Sequence, residues 1–599
     1  MCRRYSGRST PAGEAMATIS EALLLAFDHH RAGRSAEAET LYVRILHADP
    51  EQPDAAHLLG VLCLQTGRPG LGGALIRRAV ACRPDAAAYH SNLGNVRRQT
   101  GDDAAAGAAY ARALRLDPGL ADAHANRAAV LRALGRAGEA AAAARRALAL
   151  APDHAEGLTN LADALLADGG PALAETAARR AAAVRPGLAA AVMVLAGAHA
   201  AVGRWEAAEV AYRAALDRDP ALAAAQENLG ALLAKLGRRA EALAALDAAE
   251  RLRPDRPPLA ARGNALLALG EPAAAASCFA RALAERPFDA GLHWNRAFAC
   301  LLAGDYAEGW AEFEWRRADD RARPPWRRFD RPTWRGEDVA GRRLLLYAEQ
   351  GLGDTLQFVR YVPLVAARGA RVVLEVQPPL LMLLSGMEGA ERVIARGDPL
   401  PDFDLECPLM SLPGAFATRP ATVPAAVPYL HPDPARAAVW RRRLSGDGPA
   451  VGLVWAGNPQ FPGDRLRSPR LEGLRPVLEV PGVRFFGLQA GEGRADLEGA
   501  ALPPTFTDLG GALHDFAETA AVMAGLDLVI TSCTAPAHLA GALGVPVWVV
   551  LPLAPDWRWM LGRDDSPWYP TARLFRQDRV GDWQGVARRV AEALRALAG

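Results

Sequence analysis

The sequence predicts an α-helical solenoid followed by a mainly parallel α/β half, and three observations carry that division. A proline recurs every 34 residues, at Pro50, Pro84, Pro118, Pro152, Pro186, Pro220 and Pro254. A glycine keeps the same step 17 residues ahead of each, at Gly33, Gly67, Gly101, Gly135, Gly169, Gly203 and Gly237. Beyond about residue 340 the pattern changes to apolar strand runs alternating with helices. Two breaker residues in phase over seven cycles mean a unit of two short helices, with glycine at the inner turn and proline at the outer one. Runs that are apolar throughout, with helices between them, mean parallel strands covered on both faces.

At 599 residues the chain is too long for one core. A net charge of +2 argues against a general nucleic-acid or membrane-surface binder. The N-terminal run MCRRYSGRSTPAGEAMATIS holds no apolar stretch of signal-peptide length, whether translation starts at Met1 or Met16. No window approaches the ~18 apolar residues of a membrane span. A cytoplasmic protein is expected. The seven cysteines include no CxxC pair and no histidine at ligand spacing, so neither zinc nor a disulfide framework is indicated.

Within each repeat small residues fall where two helices must approach closely: Ala128, Ala140 and Ala147 in one unit, Gly230, Ala242 and Ala249 in another. With the terminal proline, these positions resemble the tetratricopeptide repeat. One unit is a residue short, Pro254 to Pro287, and Gly304 then restores the step, so about nine units fit. The last carries Trp294, Trp310, Phe313 and Trp315, as expected of a terminal repeat that covers the end of a stack. Asn92, Asn126, Asn160, Asn228 and Asn295 share one place in the first helix of their units, with Val194 and Ala261 interrupting. Such a ladder of amides can hold the backbone of a protein or peptide in the groove, or it can bond to the neighbouring helix.

Residues 313–343 mix ten arginines with Trp315, Trp326, Phe329 and Trp334, and also with Asp319, Asp320 and Asp330. Short, proline-broken and charge-mixed, this run reads as an interdomain strap rather than a nucleic-acid contact. The expected organisation is a disordered N-terminus at 1–16, a solenoid at 17–318, a linker at 319–340, a first lobe at 341–435 and a second at 446–599. Two Rossmann-like lobes facing a cleft make the GT-B architecture of many nucleotide-sugar transferases.

The segment AEQGLGDTLQFVRYVPLV resembles the first strand, loop and helix of the ADP-heptose:lipopolysaccharide heptosyltransferase-like family. The resemblance puts Gly353 and Asp354 where the family carries a glycine for close acceptor approach and a general base. An inverting transfer needs such a base on the acceptor hydroxyl while the diphosphate leaves from the opposite face. The alternative is that Asp354 caps a helix beginning at Thr355. The segment DLVITSCTAPAHLAGALGVPVWVVLP resembles the same family's donor site, which implies Thr534, the Ala535 amide and His538 at a diphosphate-binding helix start. Cys533 stands where the family has an aspartate, so the chain departs there from the family's means of recognising donor hydroxyls; no base is evident to make it a nucleophile. Asn458, Arg465 and Arg467 follow the second lobe's first strand, and either arginine can neutralise donor phosphate or lie in solvent. The run from Asp556 to Tyr569 resembles the end of tetratricopeptide–glycosyltransferase fusions, with its tryptophans stacking on a base or packing the lobe's final helix.

Together these imply an inverting GT-B glycosyltransferase, independent of metal or cofactor, that uses a nucleotide sugar as donor and recruits a protein through its repeats. The order of domains also resembles protein O-GlcNAc transferases. The reading from another class is a repeat scaffold whose transferase half has decayed.

Overall fold

A computed structural model of the chain describes residues 18–318, 326–461 and 463–598. The expected disorder of 1–16 and residues 319–325 of the expected linker lie outside the described residues. Among the described residues eighteen helices, from Ile19–Arg31 to Tyr306–Phe313, form nine helix pairs. All nine inner-turn glycines, Gly33 to Gly304 at the repeat step, have φ between +72° and +88°, the left-handed conformation that residues with a Cβ resist. The small-residue positions decide how close the paired helices come. A Cβ on Gly94 would lie 2.6 Å from the Tyr110 ring, and one on Gly263 would lie 2.6 Å from Phe279. Where alanines stand at 128, 162 and 196, all three are fully buried.

The chain divides into two compact units at Leu229, inside the array rather than at its end. In the second unit the last repeat shares one core with the α/β half, which contains Leu301, Tyr306, Trp310 and Phe313 beside Trp334, Leu346, Trp557 and Trp568. The Trp310 indole N–H donates to the Thr418 carbonyl (3.1 Å), and that of Trp568 donates to the Tyr306 hydroxyl (3.1 Å).

The α/β half holds two parallel sheets. The first contains β1 (Arg343–Tyr347), β2 (Arg371–Val376), β3 (Ala390–Ala395) and β4 (Leu405–Pro408), in the order β3-β2-β1-β4. The second contains β5 (Ala450–Val454), β6 (Arg484–Gly487), β7 (Phe506–Asp508), β8 (Leu528–Ser532), β9 (Val547–Leu551) and β10 (Ala572–Arg576), in the order β10-β9-β8-β5-β6-β7. Every pairing of these strands is parallel, and β5, β8 and β9 are buried along their whole length. Each order reverses once, between β1 and β4 and between β5 and β8. Parallel sheets place ligands outside the carboxyl ends of strands at such reversals.

Two boundaries shift from expectation. Residues 332–340 belong to the first lobe: Trp334 is 1% exposed in its core, and its amide donates to the Glu406 carbonyl (2.8 Å). The helix Pro434–Arg443 belongs to the second lobe, because Trp440 donates to Glu518 (2.5 Å) on the helix Phe516–Met523. The described part of the arginine run is a strap. Arg316, 2% exposed, bonds Glu349 (2.8 Å), Glu314 (2.9 Å) and Ser411 (2.7 Å). Arg317 pairs with Glu406 (2.8 Å) and Arg327 with Glu375. Buried carboxylates on the first sheet thus receive their counter-charges from the strap, and removing either partner leaves an expensive buried charge. Among the described residues no helix is long and apolar enough to cross a membrane.

Candidate functional site

The loops leaving β1, β5 and β8 meet one another. After β1 the helix Leu352–Phe358 begins at Gly351, so Asp354 lies in its first turn instead of capping a helix at Thr355. Its Oδ2 accepts from the Gly351 amide (2.8 Å) and its Oδ1 from Arg558 Nη2 (2.5 Å). Its side chain is 20% exposed and that of Arg558 is 8% exposed. Burial pushes the Asp354 carboxyl above its usual range, against the pull of Arg558.

A Cβ on Gly353 would lie 2.9 Å from His538 Cδ2 and 3.3 Å from Ala535 Cα. Glycine here therefore allows the first lobe's loop to approach the start of the helix Ala535–Ala542 in the second lobe. A Cβ on Gly457, beyond β5, would overlap Asp464 Oδ1 and lie 2.9 Å from Arg467 Nη2 and 3.0 Å from the Thr534 methyl. Asp464 accepts from Ser468 Oγ (3.0 Å) and Arg467 Nε (3.2 Å), while Ser468 Oγ accepts from the Gly457 amide (3.0 Å). These bonds hold Arg467 over the Phe461 ring (4.4 Å) beside Thr534.

The expected donor residues therefore divide. Gly353, Arg467, Thr534, Ala535 and His538 come together; the Asn458 side chain accepts its own loop's Gln460 amide (3.0 Å), and Arg465 is exposed on the short helix Asp464–Arg467. Thr534 is the N-cap by backbone conformation, but its hydroxyl donates to the Ser532 carbonyl (3.3 Å). Pro536 has no N–H, which leaves the Ala535 amide as the first of that helix turn. His538 is 6% exposed, bonds Tyr569 OH through Nδ1 (2.9 Å) and stacks on Trp559. Burial, and then Arg558, Arg360 and Arg467, hold it well below the usual histidine range, so it is neutral at pH 7. It forms a wall of the site and is no cationic partner for a diphosphate.

Cys533 is 7% exposed, and its sulfur accepts from the Trp559 indole (2.7 Å). Burial and the neighbouring Asp556 push the thiol up to about 12, so no thiolate nucleophile forms there. Trp557, Trp559, Trp568 and Tyr569 are each at most 2% exposed. They are closed to a nucleotide base, and they pack on the last repeat and on His538 rather than on the final helix, because Tyr306 and Trp310 reach into the same core.

Several residues of the site are absent from the sequence-based set. Arg558 Nε donates to Gln357 Oε1 (2.5 Å), and Nη1 donates to Asp556 Oδ1 (2.9 Å). Arg360 is 4% exposed; it donates to the Trp568 carbonyl (2.7 Å) and Tyr429 OH (2.9 Å), with its guanidinium 4.6 Å from the Tyr569 ring. Strand-end position, which singles out the loops after β1 and β8, applies equally to the loop after β9 that carries Arg558.

In the array four of the five ladder amides bond to the preceding repeat. Asn92 Nδ2 bonds His57 (2.7 Å), Asn126 bonds Asn95 Oδ1 (3.1 Å), Asn160 bonds the Ala125 carbonyl (2.8 Å) and Asn295 bonds Asn264 Oδ1 (3.2 Å). Asn228 is exposed. Each of the four half-buried amides spends one donor on the preceding repeat, which gives the ladder an inter-repeat role.

Protein FlbA of Caulobacter vibrioides (strain ATCC 19089 / CIP 103742 / CB 15) is 34% identical over 371 residues, 56% of this chain and 61% of FlbA. The chain thus spans less than two thirds of that relative. Among solved structures, the APC/C hetero-tetramer Cut9-Hcn1 is 19% identical with a TM-score of 0.37, covering 46% of this chain and 55% of that one. A thermophilic TPR protein of Thermus thermophilus, TTC0263, is 26% identical with a TM-score of 0.25, covering 28% and 92%. The tetratricopeptide-repeat family model matches residues 23–87, 73–121, 91–155, 159–223, 193–257 and 260–319. Residues 23–319 are therefore a run of tetratricopeptide repeats, a fold whose ordinary use is to bind protein or peptide partners.

Proposed function

We propose that this chain is an inverting GT-B glycosyltransferase, cytoplasmic, which moves a sugar from a nucleotide sugar to an acceptor recruited by its repeats. The observation that supports this reading best is the meeting of the loop after β1 with the helix start after β8, at Gly353 against Ala535 and His538. Two strand-end loops from two parallel sheets are what a reaction between two substrates requires, one held by each lobe. On this reading Asp354 takes the proton of the acceptor hydroxyl. The oxygen then attacks the anomeric carbon as the bond to the diphosphate breaks. The leaving charge is met by the Ala535 amide at a helix N-terminus and by Arg467. No metal is needed in this scheme, since Arg467 and the helix start supply the positive potential.

One observation favours a second reading, a protein-binding scaffold with an inactive α/β half. Cys533 offers no carboxylate to sugar hydroxyls, and its sulfur is taken by Trp559. Incubating the purified chain with a panel of nucleotide sugars and measuring released nucleoside diphosphate tests the two readings. Turnover lost on Asp354→Asn supports the transferase. No turnover and no calorimetric binding of any nucleotide sugar refutes it in favour of the scaffold.

A further inference from the structure

The loop after β9 has three unusual properties at once. It sends Arg558, 6% exposed, across to the first lobe, where it donates to both Asp354 and Gln357. It contains Met560, a non-glycine residue at φ +51°, a backbone conformation that persists only where the surroundings over-determine it. It is also gripped by the last repeat: the Trp557 ring lies 5.3 Å from Trp310 and 6.4 Å from Tyr306, and Met560 Cε would be 3.0 Å from a Cβ on Gly304. Arg558 itself lies over the Trp557 ring (4.3 Å), so a shift of the tryptophan is a shift of the guanidinium.

We propose that Arg558 is the positioning residue for Asp354, and that the last repeat, through Trp557 and Met560, sets where Arg558 stands. This rests on the transferase reading for its consequence, since a base held by a cation from the other lobe is aimed only when the lobes are closed. The repeat array is then joined to the reaction centre by its final unit instead of serving only as a tether. Around Asp354 the charged groups are Arg558, Asp556 and Arg467 from the second lobe. The helix packed against it brings His538, which is neutral, and the turn Val359–Tyr361 brings Arg360; the turn Leu409–Ser411 brings no charge.

An opposite charge in contact lowers a carboxyl by about one to three pH units, so losing Arg558 raises the pH at which Asp354 protonates. The test uses the full chain as wild type, Arg558→Gln, Arg558→Lys and Met560→Gly. The acid limb of nucleotide-sugar turnover is expected to move up by about one to three pH units in Arg558→Gln. Arg558→Lys should largely restore it, and Met560→Gly, remote from Asp354, should move it the same way by a smaller step. A merely structural Arg558 would lower the amount of folded protein and leave the limb in place, which overturns the proposal.

A second measurement does not need turnover. Melting temperatures of Asp354→Asn, Arg558→Gln and the double variant should be non-additive, with the non-additivity reduced in a Met560→Gly background. Additive losses overturn the positioning proposal whatever the turnover. Non-additive losses without turnover in any variant uphold the positioning and refute the transferase reading alone.

Discussion

Placing a carboxylate at position 533 is the perturbation whose outcome the tertiary structure makes calculable. The site is 7% exposed, so Cys533→Asp buries a charge, and a buried carboxylate left uncompensated costs about 3–5 kcal/mol. Compensation is at hand. The Trp559 indole that donates to the sulfur can donate to an oxygen, and the helix Ala535–Ala542 starts two residues on. Arg576 completes the set: its Nη1 is buried without a hydrogen-bond partner, its Nη2 donates to the Trp559 carbonyl (3.3 Å), and burial lowers the guanidinium to about 10. A cation so poorly compensated gains from a new neighbouring anion. Cys533→Asp is therefore expected to be within about 1 kcal/mol of the neutral control Cys533→Asn, whereas in an Arg576→Met background the aspartate should cost the full 3–5 kcal/mol or so. At about 2–4 °C per kcal/mol the latter is a drop of roughly 6–20 °C in the α/β transition by differential scanning calorimetry. The sign with pH follows. The introduced carboxyl, once paired, has a folded pKa below its unfolded value of about 3.9, so its contribution is present above that pH and is lost as pH falls through the folded value. If Cys533→Asp is as costly with Arg576 present as without it, Arg576 does not face position 533 and the reasoning fails. On the transferase reading the same variant should bind nucleotide sugar more tightly by calorimetry, and weaker binding would show that the carboxylate repels the diphosphate.

Other outcomes are expected of the same centre and of the array. Asp354→Asn should lower turnover about a hundredfold to ten-thousandfold with nucleotide affinity within twofold or so, as calorimetry can establish. Because burial holds Asp354 above the ordinary carboxylate range, the wild-type acid limb should lie above about pH 4, and a limb below that would contradict the raised carboxyl. Gly353→Ala presses a methyl against His538, which is pinned by Tyr569 and Trp559. About 1–2 kcal/mol should be lost by urea unfolding after allowing for the helix-propensity gain, and a stabilised variant would show that the two loops part easily. In the array, Asn126→Ala and Asn160→Ala each break an inter-repeat hydrogen bond, at about 1 kcal/mol apiece, while Asn228→Ala at an exposed side chain should cost little. Circular-dichroism melts of the three single variants give the ranking, and equal effects would deny the ladder its inter-repeat role.

The array was legible in the sequence because its physics is local. A left-handed turn needs glycine and a helix stop favours proline, and both recur at a fixed step, so Gly33 to Gly304 and Pro50 to Pro287 determine eighteen helices without reference to anything distant. Parallel strands buried on both faces are likewise written as apolar runs, and the two glycine-bearing motifs after β1 and β8 stand out for the same reason. Tertiary structure alone decided what those motifs meet. Asp354 and Arg558 are 204 residues apart, and their ion pair depends on how two sheets face each other, which no local pattern encodes. The bonding of the Asn126 and Asn160 amides to the preceding repeat is decided by inter-repeat spacing. The last repeat's tryptophans were readable as a cap by their composition. That Trp310 packs into the α/β core and against Trp557, beside Arg558, follows only from where Trp557 and Trp568 lie once both lobes are folded.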